Sequence, residues 1–328
     1  MAEFILDKKI ALKQYDIVRK LGKVSYSVKT NPECTPILEQ NTDAWFSIHT
    51  IEEMVHVKDL SRVLFLAFGW DEEELKALLA KGVDKFVVEN QKDLDVFLKV
   101  AKNGTIFLRM KLRENSIHTG KYYVFGFGSS EVNEAIKSIP SQFVVGVHVH
   151  RKTQNLNEWE LISEFEQSLS EDTLKRIKMV CVGGGLPSQY KNISDSTIQD
   201  VLAKIGDVGL WLKKRNIELL SEPGRFICAP AIKLAAKVKQ IIGKTIIVDC
   251  SVYNASMDTM LLGLKLLVDG EGEGEEYTIK GCTPCSLDIF RYKVALKKVG
   301  SVITFLNAGA YNFKTDFCDM PKIPTRII

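Results

Sequence analysis

Eight short apolar runs, each followed by a helical pattern, constrain this chain more than any other feature. They are Val24–Lys29, Ala44–Ile48, Arg62–Ala67, Lys85–Glu89, Thr105–Met110, Phe143–Val149, Met179–Val182 and Glu218–Ser221. They are rich in Val, Ile and Phe and nearly continuous in apolar character, as parallel strands covered on both faces should be. The intervals carry helix signals. Asp71–Gly82 starts with four acids and ends in Lys then Gly, which suits the helix dipole and a C-cap. Glu89–Lys102, Asn157–Leu169 and Ser194–Arg215 are further helix candidates. Eight alternations between Val24 and Ser221 predict a (β/α)8 TIM-like barrel, an α/β fold. A doubly wound open sheet is the competing architecture, and the count of eight favours the barrel because that number closes it.

After Arg225 the pattern changes. Ile232–Ile242, Thr245–Asp249, Leu264–Asp269, Glu276–Ile279 and Ser301–Leu306 read as strands without helices between them, and Asp269–Glu276 is an acidic, Gly-rich turn. The expected division is a barrel at residues 8–228 and a C-terminal all-β domain at 229–328, joined by residues 1–7. Composition narrows the function. The 328 residues carry 44 basic and 41 acidic side chains, a formal net charge of +3, which gives no reason to expect nucleic acid or an anionic membrane as partner. No apolar run is long enough for a membrane helix and the N-terminus has no signal-peptide pattern, so a cytoplasmic protein is expected. The seven cysteines do not suggest a disulfide scaffold, and the lone pair Cys282 and Cys285 is a weak metal signal.

In a barrel of this kind chemistry sits at the C-terminal ends of the strands. There the sequence places Lys29 after the first run, Arg109 in the fifth, His148 and His150 at the sixth, Gly183–Gly185 after the seventh, and Glu222-Pro-Gly-Arg225 after the eighth. Taken singly, each has a plain reading as a solvated charge, a loop or a turn. Together they fall on one rim. The glycine run lets backbone N–H groups approach an anion, and barrels often bind phosphate in the loops after strands seven and eight. A lysine, a carboxylate and a phosphate cradle together suggest pyridoxal 5'-phosphate, which needs a lysine amine, a partner for its ring nitrogen and a phosphate site. His148 and His150, two apart on a strand, share a face and could instead hold a metal, but no third ligand lies nearby in sequence, and no metal is expected.

Several motifs in order carry a resemblance. Tyr26-Ser-Val-Lys-Thr-Asn31, Gly146-Val-His-Val-His150 with Thr153-Gln154, Gly183-Gly-Gly185, Glu222-Pro-Gly-Arg225, Gly281-Cys-Thr-Pro-Cys-Ser-Leu-Asp288 and Ala308-Gly-Ala-Tyr311 resemble the fold-type III pyridoxal-phosphate decarboxylases, the group that includes ornithine, lysine, arginine and diaminopimelate decarboxylases. The resemblance implies that Lys29 carries the cofactor, His150 stacks on its ring, Arg109 lies near the ring, and Glu222 keeps the ring nitrogen protonated. It implies phosphate contacts from Thr153, Gly184, Gly185, Gly224 and Arg225, with Tyr311 adding a hydroxyl. It also implies a homodimer with shared active sites.

The departures from the family pattern bear on the substrate. Family members usually carry Cys followed by an acid in the Gly281 segment, for proton return and for reading the distal amine; here an ungapped reading gives Pro284 and Cys285. Either the loop is shifted by one and Cys285 is the general acid, or that function is altered. Asp258 or Asp288 would then read the amine. The stretch Asp249–Leu262 lacks the Arg found in diaminopimelate decarboxylases. Ser47 stands where an acid is common, Val124 where a Lys is common, and the segment ahead of Lys29 is shorter than usual. The expected activity is decarboxylation of a basic L-amino acid, ornithine or lysine first, to a di- or polyamine. The alternatives are a decarboxylase of diaminopimelate or of a carboxylated polyamine, or a non-catalytic regulatory homologue.

Overall fold

The computed structural model describes residues 1–112, 125–150, 159–312 and 319–328. Strand β1 (Glu3–Leu6) and helix α1 (Lys8–Arg19) lead into eight strands: β2 (Lys23–Ser27), β3 (Trp45–Ile48), β4 (Val63–Leu66), β5 (Lys85–Val88), β6 (Gly104–Met110), β7 (Phe143–Val149), β8 (Met179–Cys181) and β9 (Glu218–Ser221). All are parallel to their neighbours, and β9 pairs with β2, so the sheet closes into a barrel. Each coincides with one of the eight apolar runs. The doubly wound alternative is excluded by the β2–β9 pairing.

The barrel interior is packed with side chains. Leu64, Val87, Phe107, Met179, Cys181 and Leu220 form one buried cluster drawn from five of the strands. At about 25 cal/mol per Å² of apolar surface, such residues stabilise the fold by roughly 1.5–3 kcal/mol each. The helices follow local rules. In α3 (Glu72–Ala80) the Asp71 side chain accepts from Glu74 N at 2.9 Å and Glu74 accepts from Asp71 N at 3.0 Å, a reciprocal capping box. The sequence reading missed α2 (Thr35–Asn41), α5 (Ser129–Ser138) and α7 (Glu171–Arg176), but α4 (Gln91–Val100), α6 (Leu161–Ser168) and α8 (Asp195–Lys213) lie where it placed helices.

The chain divides into two compact units. The barrel unit comprises Tyr15–Leu186 and Gln199–Gly224; the second comprises Met1–Gln14, Pro187–Ile198 and Arg225–Ile328. The second unit holds β10 (Ile232–Ile242), β11 (Thr245–Val248), β12 (Leu267–Val268), β13 (Glu275–Lys280), β14 (Ile289–Leu296), β15 (Val302–Leu306) and β16 (Thr325–Ile327). These run in the order β12-β15-β10-β11-β13-β14, mostly antiparallel, with β1 pairing both β10 and β16. Three short helices interrupt the strands: α9 (Arg225–Ala231), α10 (Val252–Ala255) and α11 (Met257–Leu262). Among the described residues no helix is long and apolar enough to cross a membrane.

Candidate active site

The parallel strands bring Lys29, Arg109, His148, His150, the Gly183–Gly185 loop and Glu222 to one rim of the barrel unit. Glu222 follows β9 and is buried. Its Oε1 accepts from Ser47 Oγ at 2.6 Å and its Oε2 accepts from His148 Nε2 at 2.8 Å. Ser47 is itself bonded to Ser25 at 2.7 Å. Burial alone would raise this carboxyl, but the His148 and Ser47 contacts reverse it and hold Glu222 well below the usual carboxylate range. The fold therefore keeps an anion inside the barrel top.

His148 and His150 differ in burial. Strand β7 ends at Val149, so His150 leaves the sheet and stands exposed, while His148 points inward at 1% exposure. His148, Cys181 and Glu222 place ligand-type atoms within 4.8 Å of one another. His148 Nε2 and both Glu222 oxygens are engaged in the hydrogen bonds just described, so the group is accounted for as a buried polar network.

Lys29 lies in a short turn directly after β2, at the open end of the barrel. Its side chain reaches solvent, yet the protein around it strips part of its hydration. That desolvation, with help from the Arg109 charge, lowers the amine's pKa against the upward pull of Glu222, Glu53 and Glu89. Arg109 is ion-paired with Glu89, whose other oxygen is buried without a hydrogen-bond partner. The Arg109 guanidinium lies 5.4 Å from the Phe125 ring centre. A cavity of about 440 Å³ lies beside this pair, bounded by Phe68, Glu89, Lys111, Phe125 and Phe127.

The loops after β8 and β9 are tied together, since Glu222 N donates to Gly183 O at 2.8 Å. Gly185 has φ +85°, and nothing stands within 4 Å of where its Cβ would be, so its backbone faces open space. Gly224 is the opposite case: a Cβ there would collide with Thr30 Oγ1. His150 stands against Gly183, where a Cβ would lie 2.9 Å from Nδ1. Thr153, with Gln154 and Val124, lies outside the described residues.

The remaining residues singled out from sequence belong to the second unit. Arg225 opens α9 and is 7% exposed. Its guanidinium donates to the Tyr190 hydroxyl at 3.1 Å, pairs with Asp258 at 2.6 Å, and lies 5.2 Å from the Tyr311 ring centre. Tyr311 sits at φ +51°, a left-handed backbone conformation that costs a bulky residue about 1–3 kcal/mol. Cys285 Sγ lies 2.9 Å from the Tyr253 hydroxyl, a contact that lowers the thiol's pKa. Asp288 is fully buried and its carboxylate accepts from Val252 N at 2.9 Å, Thr283 N at 3.0 Å and Thr283 Oγ1 at 2.7 Å. Those three bonds brace the Gly281–Asp288 loop.

Sequence reasoning missed the Glu222 partners. Ser47 was noted only as a departure and His148 only as a metal alternative. Tyr190 went unnoticed, because a lone tyrosine far from any motif gives no signal.

A closed barrel with a lysine of depressed pKa, a buried carboxylate kept ionised and a glycine-lined loop facing open space defines a class: an enzyme built to hold a phosphorylated, electron-accepting cofactor. Comparison with known proteins makes the class specific. Residues 8–229 match the pyridoxal-dependent decarboxylase family's pyridoxal-binding domain, and the chain belongs to that family. It is 25% identical over 325 residues to the diaminopimelate decarboxylase of Vibrio cholerae, covering 88% of this chain and 76% of that one. It is 21% identical over 241 residues to the lysine/ornithine decarboxylase of Selenomonas ruminantium, covering 66% and 58%. The crystal structure of lysine decarboxylase from Selenomonas ruminantium superposes with a TM-score of 0.81 at 19% identity, covering 100% of this chain and 92% of that one.

The cofactor of this family is pyridoxal 5'-phosphate, and the barrel residues fit it. The donor set supplies an amine of lowered pKa at Lys29, an anion for a ring nitrogen at Glu222, and open space over the backbone at Gly185 for a phosphate.

Proposed function

We propose that this protein decarboxylates a basic L-amino acid, ornithine or lysine first, to the corresponding amine. The observation that carries the reading is the joint presence, on one barrel rim, of Lys29 with its lowered pKa and Glu222 pinned as an anion. When bound, pyridoxal phosphate supplies an electron sink for the pair left behind by CO2. Lys29 contributes an amine that is unprotonated more often than an ordinary lysine and can act as a nucleophile. Glu222 holds a proton at the ring nitrogen, and Ser47 and His148 keep its carboxylate oriented for that task.

His150 is assigned to cover one face of the ring. Arg109 sets the charge near Lys29. Phosphate contacts are assigned to Thr153, Gly184, Gly185, Gly224, Arg225 and Tyr311. Cys285, whose thiol is lowered by Tyr253, is assigned the return of a proton to the carbon that lost CO2. Asp258 is assigned to the substrate's distal ammonium. Asp288 is given a supporting role, as its oxygens are spent on its own loop. We also propose a cytoplasmic homodimer with shared sites, for which sedimentation equilibrium should return twice the chain mass.

A second reading, diaminopimelate as substrate, is favoured by the likeness to diaminopimelate decarboxylases. CO2 release from ornithine, lysine, arginine and diaminopimelate in the presence of pyridoxal phosphate separates the two. Lys29→Ala should abolish release and the covalent trapping of cofactor by borohydride. Trapping that persists in this variant removes Lys29 from its role.

A further inference from the structure

Helix α11 has an unusual anchor. It is six residues long, and the single side chain it buries is that of Asp258. Met260, Leu261 and Leu262 on the same helix are exposed at 38%, 67% and 55%. A short surface helix normally holds itself down by apolar side chains; this one is held by a carboxylate facing a buried guanidinium at 2.6 Å. The helix is bounded by Ser256, whose hydroxyl bonds Thr259 at 2.8 Å, and by Gly263 in a left-handed conformation.

The surroundings of Arg225 are those of an anion site. Tyr190 and Tyr311 flank the guanidinium, with ring centres at 5.7 and 5.2 Å, and Tyr190 accepts from one terminal nitrogen. Asp258 Oδ2 meets the other terminal nitrogen at 2.6 Å, and Arg225 is the partner that holds it there. It is a single carboxylate on a guanidinium that Tyr190 and Tyr311 flank. A phosphate monoester carries more negative charge and three acceptor oxygens, and it matches a guanidinium fork better. Two anions cannot share one buried cation without strong repulsion.

We propose that Asp258 is an internal stand-in for phosphate on Arg225, displaced when the cofactor's phosphate arrives, and that its displacement releases α11. The inference rests on the reading above in which Arg225 receives that phosphate. It gives the two residues a sequence of partners: Arg225 passes from carboxylate to phosphate, and Asp258 becomes free for a substrate ammonium only in the loaded protein. Tyr190 is a positioning residue that holds the guanidinium through the exchange.

The test is a binding titration of the apoprotein with pyridoxal phosphate and, separately, with pyridoxal, which lacks the phosphate. Asp258→Asn should bind pyridoxal phosphate about 5- to 150-fold more tightly than the wild type, the usual range of a coupling between two sites. Its affinity for pyridoxal should not change, and Thr259→Ala, which loosens α11 without touching Arg225, should match the wild type for both. Equal or weaker binding of pyridoxal phosphate by Asp258→Asn overturns the inference alone and makes Asp258 a permanent support for Arg225. Failure of wild type and variant alike to bind pyridoxal phosphate overturns the functional reading and the inference with it. Hydrogen exchange over residues 256–263 of the wild type gives a measurement that needs no variant. It should speed up on adding pyridoxal phosphate and not on adding pyridoxal; unchanged or slower exchange with pyridoxal phosphate refutes the release of α11.

Discussion

Glu222 and Asp258 are both buried carboxylates facing a nitrogen base, and their surroundings push them in opposite directions. Burial raises both. In the barrel unit, His148 and Ser47 more than offset it and Glu222 ends well below its ordinary pKa. In the second unit, the charge and hydrogen bond of Arg225 do not offset it and Asp258 ends above its ordinary pKa, although its partner stands at 2.6 Å. The difference lies in how the oxygens are used. Each Glu222 oxygen has its own donor, one from Ser47 and one from His148; Asp258 is held by Arg225 through one oxygen. One charged partner on one oxygen does not repay desolvation here, whereas separate donors on both oxygens do.

Three experiments sharpen the contrast. The largest expected effect is in Glu222→Gln, which keeps the shape and removes the anion. Turnover should fall by about 10²–10⁴-fold, the range associated with a lost proton-holding group, as read from CO2 release at saturating substrate. Asp258→Asn should act on stability. Leaving Arg225 buried without its counter-charge should cost the apoprotein about 3–5 kcal/mol in urea unfolding, and added pyridoxal phosphate should restore much of it. His148→Phe should be milder, costing about 1.5–3 kcal/mol for one hydrogen bond to a charged group. Its pH dependence carries the sign. A carboxylate whose folded pKa is depressed stabilises the fold above its ordinary pKa, and that stability is lost as pH falls toward the folded value. The gap between wild type and His148→Phe should therefore narrow as unfolding is repeated in progressively more acidic buffer. Asp258, raised by burial, has the opposite slope: its contribution declines as pH climbs through the span between its ordinary and its raised value.

The same contrast explains what could be read from sequence. All eight barrel strands were legible because a strand covered on both faces must be apolar throughout, and Val, Ile and Phe mark it. Strand β14 was missed because Arg291, Tyr292 and Lys293 interrupt its apolar pattern, and Lys293 even turns to φ +51°. Strands β1 and β16 were missed because neither is buried along its whole length: β1 alternates buried and half-buried residues, and β16 is mostly exposed. Lys29, Glu222 and Arg225 could be singled out because strand ends and glycines fix where backbone goes. What those side chains meet could not. The Arg225–Asp258 pair is set by how α9 and α11 pack within the second unit, and nothing in a stretch of Ser, Met, Asp and Thr announces it. Asp288 shows the same limit: sequence supplied a carboxylate in a loop that resembles a substrate reader, and the fold turned it inward onto Val252 and Thr283.

Strand β1 has one further consequence. Its neighbours are β10 and β16, the latter in parallel register from Phe4–Thr325 to Leu6–Ile327, and Glu3 is ion-paired with Arg326. A contact between the third residue and the 326th is among the most non-local the chain can make, and loop-closure entropy must be met before it rewards the chain. During synthesis the first strand emerges hundreds of residues before this partner exists. The barrel's strands, paired with near neighbours in order except for the closing pair, can assemble before β16 is available to β1.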